Sequence, residues 1–286
     1  MTRLNAEEQT SVTHGEFWIP EEEREAYKLA LRTLNQAGVP YVVAGLYAIH
    51  HYTGIYRQTK DLDLFVEPGR VIEAARALKQ AGFRVKLENA HWIAKALLEH
   101  HQVDLIYGMG NGLSFIDEDW YRFSRPAILA AEQVRVAPAE ELLWHRLFVS
   151  ERHRSDMSDA VHLIMCRGLD LDWDRVLRRV GQQWRLLLAQ IHLFDFAYPG
   201  HRHKVPRAVR ELLQQRARDE MDDAGDPNVC HGTLISRFSF AIDVNEWGMR
   251  DLRKEATATA RSLPIVQEII ASDVWHESSH EPPRAG

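Results

Sequence analysis

The segment DLDLFV, residues 61–66, constrains the fold more than any other stretch of the chain. It reads as a short apolar strand, and in a strand alternate residues share a face, about 6.6 Å apart. Asp61 and Asp63 therefore point one way, while Leu62 and Leu64 point the other. Two carboxylates side by side on a half-buried strand cost free energy unless a cation sits between them. The approach to the strand, RQTK at 57–60, is cationic.

Around this strand the hydrophobic period changes along the chain. Pro20 opens EEEREAYKLALRTLNQAG, a helix with acids in its first turn and Gly38 at its end. VPYVVAG at 39–45 reads as a strand, and 46–54 as a short helix closed by Gly54. A helix runs from Pro68 to about Gln80. Further strands are expected at 83–88, at 101–108 before the turn GMGNG, and at 133–138. Beyond Pro138 the pattern is helical: 139–153, 155–167, 172–180, 183–194, 206–221 and 233–258. The expected fold class is α+β: a small mixed sheet with flanking helices over 20–138, then an all-helical domain over 139–275. Residues 1–19 read as a polar tail and 276–286 as a disordered one. The tryptophans of WHRLF, QQWRLLL and VNEWGMR are expected in the helical core.

Composition narrows the function classes. Two cysteines in 286 residues exclude a disulfide framework and fit a reducing compartment. With no secretory leader pattern and no run long enough to span a bilayer, the expectation is a cytoplasmic protein without a membrane partner. A net charge of −6 gives no global sign of nucleic-acid binding. The basic stretches DRVLRRVGQQWR and GHRHKVPRAVR would meet tRNA only if they shared a face, and a solvated surface is the plainer reading.

A third acid, Asp104, lies in VDLIY. If strands 61–66 and 101–107 are neighbours, Asp61, Asp63 and Asp104 converge. Like charges about 4 Å apart repel by roughly 4 kcal/mol at an effective dielectric near 20, so the trio must be protonated or neutralised. Hard oxygen donors on a rigid strand suit Mg²⁺, or Mn²⁺, and a pair of such ions serves in-line phosphoryl or nucleotidyl transfer. Upstream, Gly45 opens a helix whose N-terminus presents free N–H groups to a phosphate. A D-x-D pair alone is more often solvated or salt-bridged. The whole series of small-Gly turn, short helix, R-x-T-K, D-x-D and later D-x-I-Y is more specific.

VVAGLYAIHHYTGIYRQTKDLDLFV resembles the nucleotidyltransferase signature of the DNA polymerase β-like superfamily, and more narrowly the bacterial minimal nucleotidyltransferase and AbiEii-type toxin groups. The similarity extends over roughly residues 20–165. It implies a nucleotidyltransferase-fold N-terminal domain, with Gly45 as the phosphate-turn glycine and Asp61 and Asp63 as the first metal ligands. Asp104 is then the third acid, which helps activate the nucleophile. In PAEELLWHRLFVSERHRSDMSDAVHLI, Arg146 stands where the family usually has Lys, with Arg152, Asp156 and Asp159 following. The implied activity is transfer of a nucleoside monophosphate from an NTP, ATP or CTP, to a hydroxyl of tRNA, a protein or a small molecule, in some members within toxin–antitoxin systems with an antitoxin partner. Ala44 in place of the usual first glycine, a long interval from Gly45 to Asp61, and Arg146 instead of Lys support an alternative. In it the chain is a weak or inactive nucleotide-binding or interaction protein.

Other residues carry less. Arg57 is balanced between a phosphate contact and an ion pair. Lys60 is expected in an ion pair that quiets the acids, and Thr59 in the turn with a possible site role. Arg152 is expected both to contact phosphate and to join the RHRSDMSD ion-pair network, in which Ser155 caps the next helix. His145 is expected to be structural.

Overall fold

The computed structural model describes residues 19–151, 155–223 and 225–276. Along the first half run α1 (Glu21–Gln36), β1 (Val42–Val43), α2 (Gly45–Thr53), β2 (Asp61–Phe65), α3 (Val71–Gln80), β3 (Arg84–Asn89), β4 (Ile93–Leu98), β5 (His101–Ile106), α4 (Glu118–Arg122), β6 (Arg125–Leu129) and β7 (Glu132–Val136). The second half holds α5 (Ala139–Arg146), α6 (Met157–Arg167), α7 (Trp173–Val180), α8 (Trp184–Ala197), α9 (Arg207–Asp219), β8 (Val229–Cys230), α10 (Ala241–Asn245), β9 (Arg250–Asp251), α11 (Leu252–Ser262) and α12 (Pro264–Ala271). The fold is α+β, with one mixed seven-stranded sheet in the order β3-β4-β5-β2-β1-β7-β6.

The sheet's two faces have different occupants. Leu62, Leu64, Ala94, Ala96, Val103 and Leu105 form an apolar face. It is sealed by Tyr27, Leu31 and Leu34 of α1 and Ala74, Ala75 and Leu78 of α3. The opposite face carries Asp61, Asp63 and Asp104 in the middle, with Phe65 beside them. Phe65 stacks against Trp120 and His145, with ring centroids 5.0 and 5.4 Å away, which fixes α5 of the second half over this face. A single contiguous core runs through both halves. The chain's end returns to the first half, where Lys79 Nζ donates to the Val274 carbonyl at 2.8 Å. Ile19, at the edge of the expected polar tail, is buried in the same core; the other expected tail residues lie outside the described residues, apart from the exposed His276.

Two strands fall where the sequence pattern gave no expectation, and some expectations need correction. IAKALL at 93–98 carries Ala, Lys and Leu, which favour helix. It is nevertheless β4, paired antiparallel to both β3 and β5, because tertiary pairing overrides local preference. RPAIL forms β6, an edge strand that tolerates Pro126 because its outer side needs no ladder bond. The helix expected over 139–153 ends at Arg146. The one expected over 233–258 is broken into a 3₁₀ turn, α10, the two-residue β9 and α11. Trp144 and Trp184 are buried as expected, but Trp247 follows the short α10 and is 63% exposed.

The packing predicts that Leu105→Ala, which empties a fully buried position between β2 and β4, costs about 2–5 kcal/mol. Urea unfolding will read this as a lowered midpoint with an unchanged slope.

Candidate active site

Strands β2 and β5 are parallel neighbours, and their register sets Asp63 directly beside Asp104 and Asp61 beside Gln102. Partners in register point to the same face, so the three aspartates converge. One carboxylate oxygen from each lies within 4.8 Å of the others.

Gly45 completes the floor. It is the first residue of α2 and has φ +58°, a left-handed conformation that disfavours any side chain. A β-carbon built there would lie 1.8 Å from Asp63 Oδ2. The glycine is therefore the space in which the Asp63 carboxylate sits, at the N-terminal end of α2. The preceding Ala44 is fully buried, and its N–H donates to the Asp63 carbonyl at 2.9 Å, tying the turn to β2. The long interval to β2 is taken up by helix to Thr53, a left-handed Gly54 and an extended loop.

Each aspartate has its own environment. The Thr59 hydroxyl donates to Asp61 Oδ1 at 2.7 Å and so orients that carboxylate. Gln102 Nε2 donates to Asp104 Oδ1 at 2.8 Å. Asp104 is 6% exposed, and burial pushes its carboxyl from 3.8 up to about 6. Lys95, opposite it on β4, offsets part of that rise, and Asp61 adds to it. Lys95 and Gln102 are parts of the site that sequence reading missed. Lys95 went unseen because β4 did. The alternation of Gln102 with Asp104 on one strand was the available signal for Gln102.

The arginines are held by acids of α6. Arg57 pairs with the buried Asp159, while its own side chain remains 43% exposed at the cleft. Arg146 is buried and pairs with Asp156, and its Nε lies 3.8 Å from Asp159 Oδ2. Both line the same cleft as the aspartates, about 660 Å³ in volume. Ser155 and Asp156 also line it. Arg152 lies outside the described residues. Lys60 is exposed and makes no ion pair among the described residues, contrary to expectation.

The donor set fits a divalent cation. Three carboxylates with oxygens within 4.8 Å of one another supply hard oxygen ligands, the glycine cradle shapes the space around one of them, and Lys95 alone does not balance three negative charges. Asp61, Asp63 and Asp104 would hold the ion.

No protein-family model and no curated protein matches the chain. Among solved structures it is similar to the antibiotic-resistance factor ANT(2'')-Ia, at 15% identity over 71% of this chain and 97% of that one, with a TM-score of 0.38. It is also similar to the lincosamide antibiotic adenylyltransferase LnuA, at 16% identity over 51% and 96%, TM-score 0.35. JHP933 from Helicobacter pylori gives 14% identity over 88% and 93%, TM-score 0.36. Likeness at this level concerns chain arrangement, and the chemistry of the site rests on its own geometry.

Two outcomes are expected. Gly45→Ala will drive a methyl into Asp63 and lower divalent-cation affinity and any metal-dependent turnover by roughly 100-fold. Gly54→Ala, in open space at the end of α2, will cost only about 1 kcal/mol of stability. Asp104→Asn will raise the thermal midpoint of the metal-free protein at pH 7. An acid whose folded pKa is raised destabilises the fold above that pKa, and the rise to about 6 corresponds to roughly 3 kcal/mol. The gain should vanish below pH 4, where the carboxyl is protonated in both states, and the same variant should lose its response to Mg²⁺.

Proposed function

We propose that this chain is a Mg²⁺-dependent nucleotidyltransferase that moves a nucleoside monophosphate from an NTP, ATP or CTP, to a hydroxyl of an acceptor. One observation carries the reading: three aspartates on two adjacent parallel strands converge at the N-terminal end of a glycine-opened helix. Mg²⁺ or Mn²⁺ held there supplies charge neutralisation to a triphosphate. The chain's own groups do the rest. The first-turn N–H groups of α2 receive phosphate oxygens beside the Asp63 carboxylate, for which Gly45 leaves room. Thr59 keeps Asp61 oriented. The acceptor oxygen bonds to the α-phosphorus, the bond to the β-phosphate bridging oxygen breaks, and pyrophosphate leaves. Gln102 occupies Asp104 Oδ1, which leaves Oδ2 to take the hydroxyl proton. Arg57, more exposed than Arg146, is the group to meet the outer phosphates; the sequence pattern adds Arg146 and Arg152 as further phosphate contacts.

A second reading has a specific support. Arg57 and Arg146 are already engaged by Asp159 and Asp156, which compete with a triphosphate for the same guanidinium groups. Under that reading the chain binds nucleotide weakly or turns it over poorly.

The discriminating experiment uses purified protein with each α-³²P-labelled NTP, Mg²⁺ and a cell lysate. Transfer of label to RNA, protein or a small molecule, lost in Asp63→Asn, is the expected result and identifies the acceptor. MgATP at about a hundred times its Kd should also stabilise the wild type by about 2.7 kcal/mol, with no such gain without the metal. Nucleotide stabilisation without metal and without label transfer would favour the second reading. A toxin–antitoxin role predicts that expression of the wild type, but not Asp63→Asn, arrests growth.

A further inference from the structure

The cleft has an end that none of the residues assigned above to metal or phosphate lines. From Asp104 the site face continues along β5 to Ile106 and then to Gly110, six residues on and at most about 20 Å away. Ile93, paired with Ile106, leads the same way to Trp92. All of these line the cleft, together with Arg253 from the first turn of α11. Trp92 and Arg253 meet on Gly110: a β-carbon there would lie 3.5 Å from the indole and 3.6 Å from Arg253 Nη2.

Arg253 is a half-buried cation in an unusual position. Its Nη2 donates to the Gly110 carbonyl at 2.8 Å and its Nη1 to the Thr233 carbonyl at 3.5 Å. Both acceptors are neutral. Among the described residues it makes no ion pair, unlike Arg57, Arg146, Arg175, Arg179 and Arg210, each of which has a carboxylate partner. Glu151, which also lines the cleft, is engaged elsewhere, accepting from the Ser236 hydroxyl at 2.5 Å and the Arg237 amide at 3.3 Å. Glu151 and Asp251 are felt only at longer range, Arg237 opposes them, and burial holds the Arg253 guanidinium below its ordinary pKa. A guanidinium keeps five donors in a planar fork. Here the fork lies beside an indole at the mouth of an apolar wall.

We propose that this end of the cleft is the acceptor subsite, and that the acceptor is a compact hydroxyl compound with a flat or apolar body and a carboxylate or phosphate group, which Arg253 binds while Trp92 covers the body. The assignment of the occupant as acceptor rests on the nucleotidyl-transfer reading; the anion-binding chemistry of the end rests on Arg253 and Trp92 alone. An uncharged body satisfies the wall, the anion supplies the charged partner that Arg253 lacks among the described residues, and the hydroxyl reaches back toward Asp104.

The test uses phenyl phosphate as anionic probe and benzyl alcohol as its neutral counterpart, by calorimetric titration at fixed salt. Phenyl phosphate should bind the wild type at least tenfold more tightly. In NMR spectra it should move the Trp92 indole and Arg253 side-chain N–H signals. Arg253→Gln should remove the preference, and Arg253→Lys should keep part of it. The stabilisation by MgATP should stay unchanged in both variants. Equal binding of the two probes by the wild type would overturn the proposal, as would no movement of the Trp92 and Arg253 signals. Loss of the MgATP response in Arg253→Gln would also overturn it, since that end would then hold the nucleotide. A failure of label transfer in the wild type, with the probe preference intact, would instead count against the transferase reading and leave the anion subsite standing.

Discussion

The side-by-side register of β2 and β5 is the constraint on which the rest depends. It puts Asp63 against Asp104 in a sheet whose other face buries Leu62, Leu64, Val103 and Leu105. A shift of one residue would turn Asp104 into the core and bring Val103 to the site face. The apolar face therefore enforces the acidic one: Leu62, Leu64, Val103 and Leu105 can be buried against α1 and α3 only if the aspartates emerge together on the opposite side. The cost of gathering like charges is met by core burial elsewhere and is reduced when a cation arrives. The site is thus an acidic cluster held within a rigid frame.

Around that centre the cleft is graded. At one end, near Arg57 and Gly45, the polar groups are cationic or amide donors and their arginines are balanced by acids of α6. At the other, past Phe65 and Ile106, the wall turns apolar and ends at a guanidinium with neutral partners. The helical half provides both the balance and the cap. Asp156 and Asp159 stand at the start of α6, and Arg253 comes from α11, some hundred residues later in the chain. The cleft is therefore lined by both halves of the sequence.

Local pattern in the chain was enough to reveal β2, β5, the glycine-opened helix α2 and the acids on them. Their signals are short-range: alternation with period two, a glycine after β-branched residues, a left-handed glycine closing a helix. The strands β4 and β6 were hidden because Ala, Lys and Leu, or a proline, speak against strand locally, and only pairing with neighbours decides otherwise. Lys95 was hidden with β4. The tight turn at Ala130 and Ala131, both with positive φ, is another case, since alanine gives no hint of that backbone.

The sequence by itself determined which residues face apart on each strand and where a glycine opens a helix, because those follow from backbone periodicity and from the missing side chain of glycine. Only the tertiary structure decided that Asp104 stands beside Asp63, that Arg57 and Arg146 are held by Asp159 and Asp156, and that Arg253 lies on Gly110 next to Trp92. Those contacts join residues tens to more than a hundred positions apart. Their geometry is fixed by which strands pair and which helices cover the sheet, a choice made by burial of the whole core and written in no single segment.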